Sequence, residues 1–228
     1  MVSVRKRVHF LLACAASLCT LGLLVVSMGL QEWIMLKSQC PIASSIVTYF
    51  KSTYGLFSGM APALCLIQAP SFYSVPSTLF KDGSKTNQGL YVTVLVLLAL
   101  GILSALFASV LSFYNGVTNP YVTLHGPRGL YVWNSICFVS CLLVLILHAL
   151  NVQCAGLSVV FALSMKNNTT EELRLENTFL VCYWLVLAAM LTCLIPIGLT
   201  YFYYHLKRRE VKLMQFTNPA VTKDIMMY

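Results

Sequence analysis

Residues 90–113, LYVTVLVLLALGILSALFASVLSF, carry no charge, and the charge-free interval around them reaches from Lys85 to Arg128. A helix rises ~1.5 Å per residue, so about 20 apolar residues cover a ~30 Å hydrocarbon core. Within lipid every backbone N–H and C=O must find a partner in the protein, and a single helix satisfies its own. This stretch therefore reads as a membrane-spanning helix. Three further intervals repeat the pattern, between His9 and Glu32, between Arg128 and Lys166, and between Glu176 and Lys207. The chain is expected to be an all-α membrane protein, a four-transmembrane-helix bundle with a small β-prone loop region outside the membrane.

Composition agrees. The chain is 58% hydrophobic and 10% charged, against roughly 25% charged for soluble domains, which leaves little for a separate soluble domain. The net charge of +8 does not point to nucleic acid, because the cations sit beside the spans. Arg5, Lys6 and Arg7 precede the first span, and Lys207, Arg208, Arg209 and Lys212 follow the last. Basic flanks are retained on the cytoplasmic side and contact anionic lipid. Both termini are thus expected in the cytosol, with the protein in the plasma membrane.

The resulting plan has a cytosolic N-terminus at 1–7, spans at 8–30, 89–113, 130–152 and 179–204, and a cytosolic tail at 205–228. A large extracellular loop covers 31–88, a short cytosolic loop 114–129 and a second extracellular loop 153–178. The first apolar run, through Leu30, is longer than the ~7–15-residue core of a cleaved leader and is read as a span. Apolar character after the third span carries on to 165, so that helix is expected to project beyond the bilayer. Pro62, Pro70 and Pro76 punctuate the first loop, where Ile46 to Phe50 and Tyr54 to Phe57 favour short strands. In the second span Gly101, Ala105 and Ser109 recur every four residues, beside a parallel row of Ser104, Ala108 and Ser112; such rows let helices approach closely within a bundle. Pro196 should bend the fourth span, since its ring removes a backbone donor.

Topology sorts the nine cysteines. Six fall within spans, where a thiol acts as a small hydrophobe. Cys40, Cys65 and Cys154 fall on the oxidising side. A Cys40–Cys65 bond closes a loop of about 26 residues, worth ~3.5 kcal/mol in the loop-entropy view, and pairing of either with Cys154 stays open. Asn167 and Asn168 each begin a glycosylation sequon in the second loop. Cys137 and Cys141 stand one turn apart without a His or carboxylate to complete a metal site, so core packing is the expectation. His148 is a lone polar residue within the third span, expected to be neutral and hydrogen-bonded. The C-terminal Met226, Met227 and Tyr228 present alternate apolar side chains, a pattern that PDZ scaffolds take up as an added strand. No catalytic grouping, phosphate-binding loop, cofactor motif or metal-ligand pattern is present in the sequence, which argues against an enzyme. The intramembrane charges that transport pathways use are also missing.

Trp33, the Tyr54-Gly55-Leu56-Phe57 run, Cys40 and Cys65 resemble the first-loop signature of the claudin-like four-span superfamily. The similarity is closer to the clarin family. Its motifs continue through Tyr114-Asn115 and Asn119-Pro120, then Leu124-His125-Gly126-Pro127 and Gly129-Leu130-Tyr131, and cover nearly the whole chain. Phe113 to Asn115 and Tyr131 to Asn134 are most similar to the third paralogue of that family. Phe57 stands where claudins have Trp, and the close cysteine pair that follows it there is missing. The resemblance implies a non-enzymatic membrane organiser in sensory or epithelial cells, making lateral or trans contacts with other membrane proteins. A claudin-like junction component and an auxiliary ion-channel subunit are the alternatives.

Overall fold

The computed structural model describes residues 4–43, 46–61, 71–117, 127–164 and 175–217. Four segments within it are long and apolar enough to cross a membrane: Arg7–Gly29, Lys85–Val117, Gly129–Gln153 and Val181–Leu206. They belong to α1 (Val4–Gly29), α3 (Lys85–Val117), α4 (Pro127–Gln153) and the pair α6 (Val181–Thr192) and α7 (Leu194–Thr217). The chain is a multi-pass membrane protein whose outward faces meet the lipid bilayer.

Each span is apolar overall, as lipid requires, and its inward face collects small residues together with polar ones, among them Ser17, Thr20 and Ser27 of α1, Ser104 and Ser112 of α3, and Asn134, Ser140 and Asn151 of α4. In α3 the buried positions include Val94, Leu98, Gly101, Ala105, Ala108 and Ser112, while Val96, Leu103 and Val110 face outward. The inward set recurs every three or four residues, the period of one helix face. Its small members bring α3 against α1 and α4, its two most extensive neighbours. A methyl group at Gly101 would stand 3.6 Å from Leu24 of α1 and 3.8 Å from Ser140 of α4. The small-residue row thus lies inside this chain's own bundle. α1 answers with Phe10, Ala13, Ser17, Thr20, Leu24 and Ser27 at the same spacing, all buried.

One end of the bundle carries a five-stranded antiparallel sheet ordered β4-β3-β2-β1-β5. β1 (Ile34–Ala43), β2 (Ile46–Tyr54), β3 (Ser58–Ala61) and β4 (Ser71–Ser74) come from the segment after α1. β5 (Leu175–Phe179) precedes α6 and pairs with β1, Ile34 opposite Phe179. Tyr54 closes β2, and Leu56 and Phe57 form the turn into β3 rather than prolonging a strand. Two short helices, α2 (Val75–Asp82) and α5 (Leu157–Ser164), pack together beside the sheet. The apolar stretch after α4 therefore does not continue that helix. Ala155 reaches back to the Leu150 carbonyl at 3.0 Å, and Gly156 follows with φ 70°, a left-handed conformation that stops the helix.

Space around Gly101 sets a graded test. Gly101→Ala fits at ordinary contact distance and gains up to about 1 kcal/mol of helix propensity. Gly101→Ile forces α3 away from α1 and α4 and should lower stability by ~1–3 kcal/mol. Thermal unfolding in detergent distinguishes them; equal melting of the two variants would contradict the packing.

Candidate functional site

Hydrogen bonds and aromatic rings gather where sheet and bundle join, and Trp33 is at their centre. The last carbonyls of a helix have no partner within it. Trp33 turns its indole back over the end of α1 and donates Nε1–H to the Ser27 carbonyl at 2.7 Å. Its own backbone joins two other segments: Trp33 N donates to the Tyr54 carbonyl at 2.9 Å, and its carbonyl accepts from Leu180 N at 3.0 Å. Cys182 N adds a bond to the Glu32 carbonyl at 3.0 Å. One residue thereby holds α1, β2 and the start of α6. Its side chain is 0% exposed, so it is a core residue and not the interfacial anchor that its position at the span's edge suggests.

Gly55 and Leu56 complete the join. A Cβ on Gly55 would lie 2.7 Å from Gln31 Cα and 2.9 Å from the Leu30 carbonyl, backbone atoms with nowhere to move. Only glycine lets the β2–β3 turn rest on the end of α1. Leu56 is buried, and its carbonyl accepts from the Tyr91 hydroxyl of α3 at 2.8 Å. The Phe57 carbonyl accepts from Val75 N at 3.0 Å, while its ring points outward. The Trp and Gly-Leu elements of the sequence signature are thus the contacts that seat a sheet on a helical bundle.

Aromatic rings line the join on both sides. Tyr54 stacks on Phe161 of α5 at 4.5 Å and lies 5.4 Å from Tyr73 of β4. Burial pushes the Tyr54 and Tyr73 hydroxyls above the ordinary tyrosine range, so both stay protonated through neutral pH. On the other side Trp33 meets His148 edge-on at 4.9 Å, with Phe179 and Tyr183 at 6.3 and 6.4 Å from the imidazole. His148 Nε2 has no hydrogen-bond partner among the described residues, which departs from the hydrogen-bonded histidine expected. Asn151, one turn on, donates to the Asn87 carbonyl at 3.5 Å and links α4 to α3. A cavity of about 10 Å³ lies between Tyr54, Leu56, Tyr91, His148 and Asn151. That is room for one water molecule and far too little for an organic substrate. Among the described residues no group of three or more His, Cys, Asp or Glu is placed to hold a metal. What this arrangement can do is hold the sheet rigidly on the spans.

Several residues singled out in the sequence lie outside the described residues: Cys65, Leu124, His125, Gly126, Asn167, Asn168, Met226, Met227 and Tyr228. Cys40 takes its place in β1 opposite Thr48, and Pro127 opens α4, followed by Gly129, Leu130 and Tyr131. Cys154 is an exposed free thiol at the end of α4. The structure also joins residues that no local pattern connects. Trp33 and His148 are one such pair; Cys193 and Cys137 are another, with sulfurs 3.2 Å apart.

Two substitutions probe the join separately. Gly55→Ala places a methyl group against fixed backbone and should cost at least ~1–3 kcal/mol. Trp33→Phe keeps much of the packing but leaves the buried Ser27 carbonyl without its indole donor, at about 1–3 kcal/mol. Both should lower the detergent unfolding midpoint; wild-type melting of Gly55→Ala would refute the close approach.

Comparison with known proteins places this architecture. A family model described as Clarin-2-like matches residues 5–197. The chain is similar to Clarin-3 from Homo sapiens, 26% identical over 223 residues covering 95% of this chain and 96% of the relative. Clarin-3 from Mus musculus is 27% identical over 213 residues, 92% of each chain. Clarin-1 from Homo sapiens is 27% identical over 197 residues, 82% of this chain and 83% of its own. With four spans, the Trp33 and Gly55-Leu56 join, and a family match over most of its length, this chain belongs to the clarin family.

Proposed function

We propose that this chain is a non-enzymatic membrane organiser of the clarin type that gathers other membrane proteins at the sheet end of its bundle. The observation that carries this is what the sheet region leaves uncovered. Phe57, Met60, Phe72 and Phe80 lie on the β2–β3 turn, β3, β4 and α2, outside the four spans, and all are exposed, Phe72 to 73%. Large apolar side chains grouped beyond the lipid-facing segments mark interaction surfaces. β4 is also the outer strand of its sheet, and an edge strand can accept an extended segment of another chain. The rigid join beneath gives such a surface a fixed height and angle over the bilayer.

The basic clusters support an orientation. α1 leads from Arg5–Arg7 toward the sheet, and the fourth span leads away from it toward Lys207–Lys212. Positive flanks held inside put both tails in the cytosol and the sheet outside at the plasma membrane. That orientation offers Cys40 and Cys65 for oxidation and Asn167 or Asn168 for glycosylation, and it leaves the Met226-to-Tyr228 tail within reach of a cytosolic PDZ scaffold.

Proximity labelling from a fused biotin ligase tests the organiser reading. Phe72→Ser with Phe80→Ser should reach the same surface level as the parent and lose its labelled membrane-protein neighbours. An unchanged set of neighbours would overturn the assignment. Sidedness is checked by an epitope appended after Tyr228, which antibodies should reach only in permeabilised cells. Staining of intact cells would refute the orientation and both modifications with it.

A further inference from the structure

The fourth span breaks near its middle. α6 closes at Thr192 and α7 opens at Leu194, with Cys193 between them. Pro196 supplies the reason, since it has no N–H to return to the Thr192 carbonyl four residues back. Hydroxyls occupy the break: Thr192 Oγ1 donates to the Ala189 carbonyl at 2.9 Å and lies 2.8 Å from Thr20 Oγ1 of α1. From this point the Cys193 side chain crosses to α4, where its Sγ stands 3.2 Å from Cys137 Sγ. Cys141 lies one turn along α4 and is buried as well. Cys137 Sγ also meets the Gly101 carbonyl of α3 at 3.5 Å. All three cysteines are free and buried.

A core cysteine by itself is a small hydrophobe. Two sulfurs touching across a helix break form a more specific arrangement. The spacing does not suit a metal, because two ~2.3 Å metal–sulfur bonds at a tetrahedral angle hold their sulfurs ~3.8 Å apart. It does suit a disulfide, whose ~2.05 Å bond needs the pair to close by only about 1.1 Å. A helix that has already lost a backbone bond beside one partner can make that shift. Buried thiols react slowly with water-soluble oxidants, so the oxidant must be one that dissolves in the membrane.

We propose that Cys137 and Cys193 are an intramembrane dithiol pair that a membrane-soluble hydroperoxide closes into a disulfide, tying α4 to the break in the fourth span. One sulfur, giving up its proton, attacks the peroxide oxygen; the O–O bond breaks, an alcohol leaves and a sulfenic acid remains. The second sulfur displaces the sulfenic oxygen as water and forms the S–S bond. Two thiols and one hydroperoxide thus give one disulfide, one alcohol and one water, the thiols losing two electrons to the peroxide. The inference is independent of any partner at the sheet end.

The test uses the full chain in lipid nanodiscs, with Cys19→Ser and Cys154→Ser removing the two exposed free thiols among the described residues. Cumene hydroperoxide is applied until methionines appear as sulfoxides, free thiols are then blocked with N-ethylmaleimide in denaturant, and unreduced peptides are mapped by mass spectrometry. Peptides carrying Cys137 and Cys193 should be joined and should part on reduction. The joined species should persist in Cys141→Ser and be lost in Cys193→Ser. Recovery of both residues as maleimide adducts, pairing of either with a different cysteine, or separate oxidation of each to acids would overturn the proposal. The mapping on the Cys19→Ser, Cys154→Ser chain decides the matter even if the other variants fold poorly.

Discussion

A helix ending at a membrane surface leaves carbonyls without partners, and the way this chain treats that problem in α1 shapes the rest of it. The Trp33 indole satisfies the Ser27 carbonyl from above. To do so the ring must fold back over the helix, which places it in the centre of the bundle's end and draws β1 down onto the spans. The backbone on either side of the ring then has to pair elsewhere, and it does so with Tyr54 and Leu180. One capping interaction therefore commits α1, the sheet and the fourth span to a single relative placement.

Around that point the structure uses two kinds of contact for two solvents. Between spans, where lipid is as apolar as the side chains, close approach depends on small residues: Gly101, Ala105 and Ala108 on α3 and Ala13 and Ser17 on α1. Above the spans, where water drives apolar burial, large rings take over: Trp33, Tyr54, Tyr73 and Phe161. His148 stands where the regimes meet, enclosed by rings from three segments. The exposed aromatics of β4 and α2 belong to neither kind of packing, which is why they support a surface for other proteins.

Much of the architecture was legible along the chain. Four charge-free intervals are enough for four spans, because a single charge at the bilayer centre is costly and its absence over 20 residues is informative. The β-prone segments after the first span and the bend at Pro196 could be read locally as well. The clarin resemblance rested on motif order, and the family match agrees with it. Other elements had no local signal. α5 looks like more of the third span by hydrophobicity, and the residue that ends the helix is one glycine with positive φ. β5 carries Glu176 and Asn177 and is a strand because β1 lies beside it.

Two pairings in the interior show the same limit. Trp33 follows the first span and His148 lies in the third, while Cys137 and Cys193 come from the third and fourth. By itself the sequence determined how many times the chain crosses a bilayer and which segments do so, since those are questions of transfer free energy summed over a run of neighbours. Only the tertiary structure decided which face of each equally greasy helix turns inward, and hence that a tryptophan at a membrane edge is core and that two distant thiols touch. That choice depends on steric and polar fit among helices far apart in the chain, and the hydrophobicity summed over a run carries no record of it.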